Sequence, residues 1–157
     1  MHHDPKSAQL AVDLYEAEQR QQHNRQQRRN ANLYGVGRMF VAVLFIASAI
    51  AKVADYAGTL AALDGTVAAP EVVLPLAIAF ELIGGVLLFA GVQARRVAIG
   101  MLAWLATVTL LVHHDLTNPL NRSFVLANLA FAGALLMIAA HGSGALSFER
   151  ILFKRKG

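Results

Sequence analysis

Residues 72–92 read VVLPLAIAFELIGGVLLFAGV, and Glu81 is the only charged residue in this stretch. A helix needs about 20 apolar residues to cross the ~30 Å hydrocarbon core of a bilayer. The stretch is therefore predicted to span a membrane. A carboxylate near the middle of a span costs roughly 2.5–3.5 kcal/mol even on a lenient insertion scale, so Glu81 is expected to have a partner or a functional role.

The rest of the chain repeats this apolar pattern. Hydrophobic residues make up 56% of the sequence and charged residues 15%, which is more apolar than an ordinary soluble domain. Residues 36–53, 97–112 and 123–140 form three further stretches close to the length of a membrane span. None of them alternates polar and apolar residues as a β-barrel strand would. The sequence predicts an all-α fold, a four-transmembrane-helix bundle in a lipid bilayer.

The positions of Lys and Arg predict the orientation of this bundle. Basic residues concentrate in the N-terminal tail, in the loop with Arg95 and Arg96, and in the C-terminal tail after residue 149. In a chain of four spans, these three segments lie on one side of the membrane. Because basic loops stay in the cytoplasm, both termini are predicted to be cytoplasmic. The net charge of +4 is explained as a topology signal, so no nucleic-acid partner is predicted.

Two segments flank the predicted spans. Residues 1–34 are predicted to contain an N-terminal amphipathic helix, because Leu10 and Leu14 lie on one stripe and a polar, basic stretch follows them. This helix is expected either to lie on the cytoplasmic leaflet or to dock onto a partner subunit. Ser147 is suited to cap a short C-terminal interfacial helix. Residues 1–30 lack the apolar core of a cleavable signal peptide, and the absence of cysteine excludes thiolate chemistry and iron–sulfur ligation by this chain.

Lys52, near the end of the first span, is the predicted partner of Glu81. Side chains lean toward the N-terminus of their own helix, so Lys52 on an outgoing helix and Glu81 on an incoming helix lean toward each other. The contact is expected to be direct or to pass through a side chain such as Asn128. Ser48 lies four residues before Lys52 and therefore on the same helix face. Together with Asn128, these residues are predicted to form one polar centre in the outer half of the bundle.

The same polar residues have a structural interpretation. Small polar side chains such as Ser48, Thr109 and Asn128 often join neighbouring helices by hydrogen bonds. His113, at the end of the third span, is predicted to lie at a similar depth, but adjacent histidines point about 100° apart, so only one of His113 and His114 can face the centre. No local spacing of ligands favours a metal site.

Short motifs support a family assignment. In chain order they are Gly37-Arg38, SAIAK at 48–52, FELIGG at 80–85, Ala90-Gly91, Asn128-Leu-Ala and GALSFER at 144–150. Through these motifs, residues 35–153 resemble the DoxX family of four-helix membrane proteins. The resemblance implies a DoxX-like four-helix membrane domain over residues 35–157, a separate cytoplasmic or interfacial tail over residues 1–34, and a multi-pass location in the bacterial inner membrane.

The family resemblance also has functional implications. The family takes its name from a subunit of a terminal quinol oxidase and thiosulfate:quinone oxidoreductase, and other members are associated with a membrane oxidoreductase complex that handles thiol and oxygen-radical stress. The resemblance therefore implies a redox complex and a quinone. Four residues coincide with polar positions of the family: Arg38, Lys52, Glu81 and Asn128.

Two functional hypotheses follow, and they leave open whether the protein is an enzyme. In the first, the chain is a small subunit of a quinone-linked redox complex with no covalent cofactor and a quinone as its candidate bound cofactor. The residues assigned to catalysis are Glu81, Lys52 and His113, and those assigned to substrate binding are Asn128, Ser48 and Arg38. In the second, the chain is a non-catalytic accessory subunit of a larger respiratory or photosynthetic assembly, bound to other subunits through residues 1–34. A transporter is disfavoured because no span is broken at its midplane.

Overall fold

The computed structural model describes residues 5–112 and 116–144. Its regular structure in these ranges is entirely helical, with α1 at Pro5–Ala54, α2 at Tyr56–Leu63, α3 at Pro70–Ala90, α4 at Ala94–Val112 and α5 at Pro119–His141. Four of the helices, α1, α3, α4 and α5, are long and apolar enough to cross a membrane. The predicted all-α architecture with four candidate spans is therefore confirmed, while the predicted C-terminal interfacial helix lies outside the described residues.

Helix α1 is a single helix of 50 residues that joins the tail to the first span. No Gly or Pro occurs between residues 6 and 34, and Gln, Arg and Ala are the most frequent residues there, so nothing local stops the helix from propagating. The tail is helical from Pro5 and runs into the span without a break at residue 34, while its predicted amphipathic character stays a prediction. Its predicted position on the leaflet stays a prediction.

The first part of α1 extends away from the bundle. Every side chain from residue 12 to residue 30 is exposed. At about 1.5 Å per residue, residues 5–30 form a helix of about 39 Å, here called the stalk. Residues 12–30 of the stalk therefore offer a long exposed surface that is mostly polar.

Turn residues set the ends of the other long helices. Pro70 begins α3 and Pro119 begins α5, where the missing N–H of proline removes no helical hydrogen bond. Asn118 caps α5 by accepting a hydrogen bond from the backbone N–H of Leu120 at 2.9 Å. Gly91 ends α3 with a left-handed backbone, at a φ of 72°, which glycine adopts without steric cost.

The four long helices form two tight pairs. Helix α1 packs along α3, and α4 packs along α5, whereas α3 with α4 and α1 with α5 share less surface. The buried apolar side chains at the centre come from all four helices: Ala42, Phe45, Leu88, Ala98, Met101 and Leu135. Gly85 brings the first pair together, because a Cβ added there would lie 3.2 Å from the carbonyl oxygen of Ala42. This arrangement decides which polar residues meet.

The outward face of the bundle is apolar. Large hydrophobic side chains are exposed on every long helix, among them Phe40, Ile83, Leu110 and Leu129. Soluble monomers rarely expose continuous apolar surface on this scale, because contact with water is unfavourable. The same surface is the expected one for a bundle surrounded by lipid chains.

Candidate functional site

Lys52 and Glu81 form an ion pair between α1 and α3. The Nζ atom of Lys52 lies 2.7 Å from Oε2 of Glu81, and the side chains are 26% and 8% exposed, respectively. Lys52 lies in the last turn of α1 and Glu81 in the middle of the antiparallel α3, so the lean of both side chains brings their charges together. The predicted contact between these residues is present, and of the two alternatives it is the direct one.

Ser48 completes this group of side chains. Lys52 Nζ donates a second hydrogen bond to Ser48 Oγ at 2.6 Å, across one turn of α1. The three residues Ser48, Lys52 and Glu81 are called the Lys52 cluster below. An ammonium has three N–H donors, and the contacts to Ser48 and Glu81 use two of them.

Asn128 lies elsewhere, in the α4–α5 pair. Its Nδ2 atom donates a hydrogen bond to Thr109 Oγ1 at 2.8 Å, and Thr109 Oγ1 donates to the carbonyl of Leu105 at 2.7 Å. Asn128 therefore joins α5 to α4, as the structural interpretation expects, and its amide does not bridge Lys52 and Glu81. The sequence predicted one polar centre from depth alone. The hydrogen bonds instead form two groups, one within the α1–α3 pair at Lys52 and Glu81 and one within the α4–α5 pair at Thr109 and Asn128.

Arg38 lies at the opposite end of the bundle from Lys52. The two residues are about 21 Å apart along α1, at about 1.5 Å per residue. Arg38 is 1% exposed, and its Nη1 atom donates hydrogen bonds to the carbonyl of Leu88 and, at 2.9 Å, to that of Phe89. These carbonyls end α3, where a cation also interacts favourably with the helix dipole.

The structure thus separates Arg38 from the other predicted substrate-binding residues. A Cβ added at Gly91 would lie 2.8 Å from Arg38 Nη1, so the glycine that ends α3 also makes room for the guanidinium. The sequence signal for this contact was the pair of motifs Gly37-Arg38 and Ala90-Gly91, but only packing shows that they meet. His113 lies outside the described residues, and its assigned role stays a prediction.

The Lys52 cluster can hold and exchange protons and can bind a polar ligand. It offers a buried carboxylate, a partly exposed ammonium and a hydroxyl within hydrogen-bond distance of one another. Across residues 5–112 and 116–144, no three His, Asp or Glu side chains are placed to hold a metal ion together. The side chains of the cluster can support hydrogen bonding and acid–base transfer.

These features define a small multi-pass membrane protein with an ion pair between two of its spans. The family model DoxX matches residues 34–114. The inner membrane protein YqjF of Escherichia coli (strain K12) is 30% identical over 120 residues, which cover 76% of this chain and 92% of that protein. No solved structure matches the chain significantly.

The chain belongs to the DoxX family, as the motifs predicted. With four apolar helices and an inner-membrane relative, it is a multi-pass protein of the bacterial inner membrane. The matched range includes Arg38, Lys52 and Glu81, whereas Asn128 lies beyond it.

Proposed function

We propose that this protein is a small subunit of a quinone-linked redox complex and that the Lys52 cluster is its ligand-binding and proton-handling site. The observation that carries the proposal is the burial of the Glu81 carboxylate against a Lys52 side chain that is still 26% exposed. Ionisable residues within a span are costly, so their presence there points to a function, and Lys52 remains accessible to a ligand. Membership of the DoxX family supports a redox setting.

The donor set of the cluster fits a quinone head group. Two N–H groups of Lys52 bind Ser48 and Glu81, and the third is available to a carbonyl or hydroxyl oxygen of a ligand. A bound quinol supplies two electrons, which pass to a redox centre of a partner subunit, and two protons. Glu81 can accept one of these protons at a carboxylate oxygen when the ligand weakens its contact with Lys52, the second proton passes to water, and Lys52 holds the ligand oxygen in place.

The second candidate is a non-catalytic accessory subunit. The stalk favours it, because this helix exposes every side chain from residue 12 to residue 30 and carries Arg20, Arg25, Arg28 and Arg29. Such a surface suits an acidic partner subunit. In this alternative, the Lys52 cluster only holds α1 against α3, and the N-terminal residues 1–34 supply the contact with the complex.

The two candidates differ in their response to Glu81→Gln. If Glu81 handles protons, this variant is expected to lower quinone-linked turnover of the parent complex about 100-fold with the subunit still bound, since general acid–base catalysis contributes on that order. Glu71→Gln is the matched control, because it removes the same charge from an exposed position on α3. Subunit occupancy and turnover should be measured on the same preparation.

Further variants decide between the alternatives. Asn128→Leu is expected to leave turnover unchanged, because Asn128 bonds Thr109 and not the cluster. If the Glu81→Gln complex keeps full turnover and full occupancy by this subunit, the proposed quinone site is wrong and the accessory role is favoured. Loss of occupancy on deletion of residues 1–30, with turnover insensitive to Glu81→Gln, would support the accessory role directly.

We also propose that both termini are cytoplasmic. In a chain of four spans, Arg95 and Arg96 fall on the same side as the basic stalk, and basic segments stay in the cytoplasm. Reporter fusions at positions 20 and 93 are expected to report the cytoplasm, and fusions at positions 62 and 118 the opposite side. A cytoplasmic signal at position 62 would contradict this orientation.

A further inference from the structure

A groove lies between α1 and α5 at the Arg38 end of the bundle. Its volume is about 260 Å³, and its walls include the apolar side chains of Val41, Ala134, Met137 and Ile138. Helices α1 and α5 belong to different tight pairs and share less surface than the helices within a pair. The groove is therefore a gap at a seam of the bundle, and an occupant of the groove would join the two pairs.

The described part of the chain ends beside this groove. Gly144 packs against α1 so closely that a Cβ added there would lie 2.9 Å from the backbone nitrogen of Gly35. His141 lines the groove, and its ring stacks on Tyr34 of α1 with centroids 4.2 Å apart. The chain thus meets α1 at one end of the groove, and residues 145–157 continue from that point.

The sequence that follows is apolar and long enough to fill the groove. Residues 145–153 read ALSFERILF, called the C-terminal segment here, and five of these nine side chains are large and apolar. The wall that α1 contributes runs from residue 33 to residue 41, a length of about 12 Å at 1.5 Å per residue. Nine residues reach that far in a helical conformation and farther in an extended one.

The charge of the C-terminal segment also suits the groove. Glu149 is its only acidic residue and directly follows Phe148. Arg38 lines the groove, and a guanidinium has five N–H donors, so a carboxylate can join the carbonyls that Arg38 already binds without displacing them. An apolar segment with a carboxylate is therefore complementary to an apolar groove bordered by a guanidinium.

We propose that the C-terminal segment of the same chain binds in this groove. Its apolar side chains would lie against the walls of α1 and α5, and the Glu149 carboxylate would approach Arg38. Bound there, the segment would join the two tight helix pairs at the base of the stalk. This docking is independent of any redox role of the Lys52 cluster.

Disulfide formation in the full-length protein can test the docking, because the chain contains no cysteine of its own. Met137→Cys places one thiol on the groove wall, and the second thiol is placed in turn at positions 146, 148 and 151. Leu136→Cys is the matched control, since Leu136 is similarly exposed but points about 100° away and does not line the groove. A disulfide forms when the two Cα atoms come within about 7 Å, so it reports contact with that wall.

At least one segment position is expected to form an intramolecular disulfide about tenfold faster with Met137→Cys than with Leu136→Cys, since burial of one large apolar side chain favours the docked state by about that factor. Gly37→Leu should slow this reaction by a similar factor. Gly37 lines the groove, and no described atom lies within 4 Å of a Cβ built there, so the new side chain would occupy the groove. Gly133→Leu should leave the rate unchanged, because it adds the same side chain to α5 outside the groove.

The carboxylate contact has its own test. Glu149→Gln is expected to slow the same disulfide about tenfold, the factor for loss of one hydrogen bond between charged groups. Arg150→Gln is the control, since it neutralises the neighbouring residue and should leave the rate unchanged. Equal rates in Glu149→Gln and Arg150→Gln would contradict the contact with Arg38.

Three outcomes would overturn the docking. Equal rates with Met137→Cys and Leu136→Cys, or no disulfide with either, would mean that the segment does not lie on this wall. Disulfides formed only between two molecules, seen as dimers on a non-reducing gel, would mean that the groove binds the segment of a second copy. An unchanged rate in Gly37→Leu would mean that the segment does not enter the groove.

Discussion

Lys52→Met is expected to lower the free energy of unfolding by about 3 kcal/mol, because it leaves the Glu81 carboxylate buried without its cation. The carboxylate is 8% exposed and lies 2.7 Å from the ammonium that balances it. It also lies near the middle of α3, away from both ends of the helix. The loss should appear as an early thermal transition of the purified protein in detergent.

Removing the charge of Glu81 should lower the free energy of unfolding by less than removing the charge of Lys52. Glu81→Gln leaves Lys52 without its anion, but this side chain is already 26% exposed and lies one turn from the end of α1, so it can extend toward the membrane surface. A loss of about 1–2 kcal/mol is expected for Glu81→Gln. The double variant should be more stable than the sum of the single losses predicts, because neither charge is left unpaired.

An exposed ion pair in the same chain serves as the control. Arg20 and Glu16 lie 3.4 Å apart on the stalk with side chains 80% and 60% exposed, and breaking this pair should change stability by no more than about 0.5 kcal/mol. Simple additivity of Lys52→Met and Glu81→Gln would contradict the coupling. A larger loss for Glu81→Gln than for Lys52→Met would contradict the proposed asymmetry.

Gly85→Leu is expected to destabilise the bundle by about 3 kcal/mol or to prevent folding, since overpacking a tight interface costs on that order. A Cβ at this position would lie 2.8 Å from Cγ1 of Ile46 and 3.2 Å from the carbonyl oxygen of Ala42. The carbonyl belongs to the backbone of α1, so relief requires the two helices to move apart. That movement would also lengthen the contact between Lys52 and Glu81.

Two other glycines provide controls for this substitution. Nothing lies within 4 Å of a Cβ built at Gly133, so Gly133→Leu should be tolerated. At Gly84 the obstacle is the flexible side chain of Met101, so Gly84→Ala should cost less than Gly85→Ala. Thermal unfolding of the four variants in one detergent checks the order. Equal stability of Gly85→Leu and Gly133→Leu would contradict the close approach of α1 and α3.

The effects of Lys52→Met and Gly85→Leu are linked, because the Lys52 cluster depends on the α1–α3 interface. Gly85 lies one turn from Glu81 on α3, and its lack of a side chain lets the helices approach closely enough for the ion pair. Both Glu81, which binds Lys52, and Gly85, which allows the helices to approach, are needed to hold Lys52 in place. Any ligand-binding role of the cluster therefore depends on a glycine that no ligand touches.

The sequence by itself determined the spans and the pairing of Lys52 with Glu81. Span length is a local property, because a continuous apolar stretch must cover the thickness of the hydrocarbon core. The pairing joins two helices but could be predicted from the sequence, since side chains on antiparallel helices lean toward each other and an ionisable group within a span requires a partner. The order and spacing of the short motifs also identified the DoxX family.

Only the tertiary structure decided the partners of Asn128 and Arg38. Asn128 bonds Thr109, and Arg38 bonds the end of α3, because hydrogen bonds form with the nearest helix. Which helices are nearest depends on packing: α1 with α3, and α4 with α5. The depth of a residue in the membrane can be estimated by counting residues along its helix. Which helices are neighbours in the bundle depends instead on where small residues allow close packing, and this is a property of the whole fold.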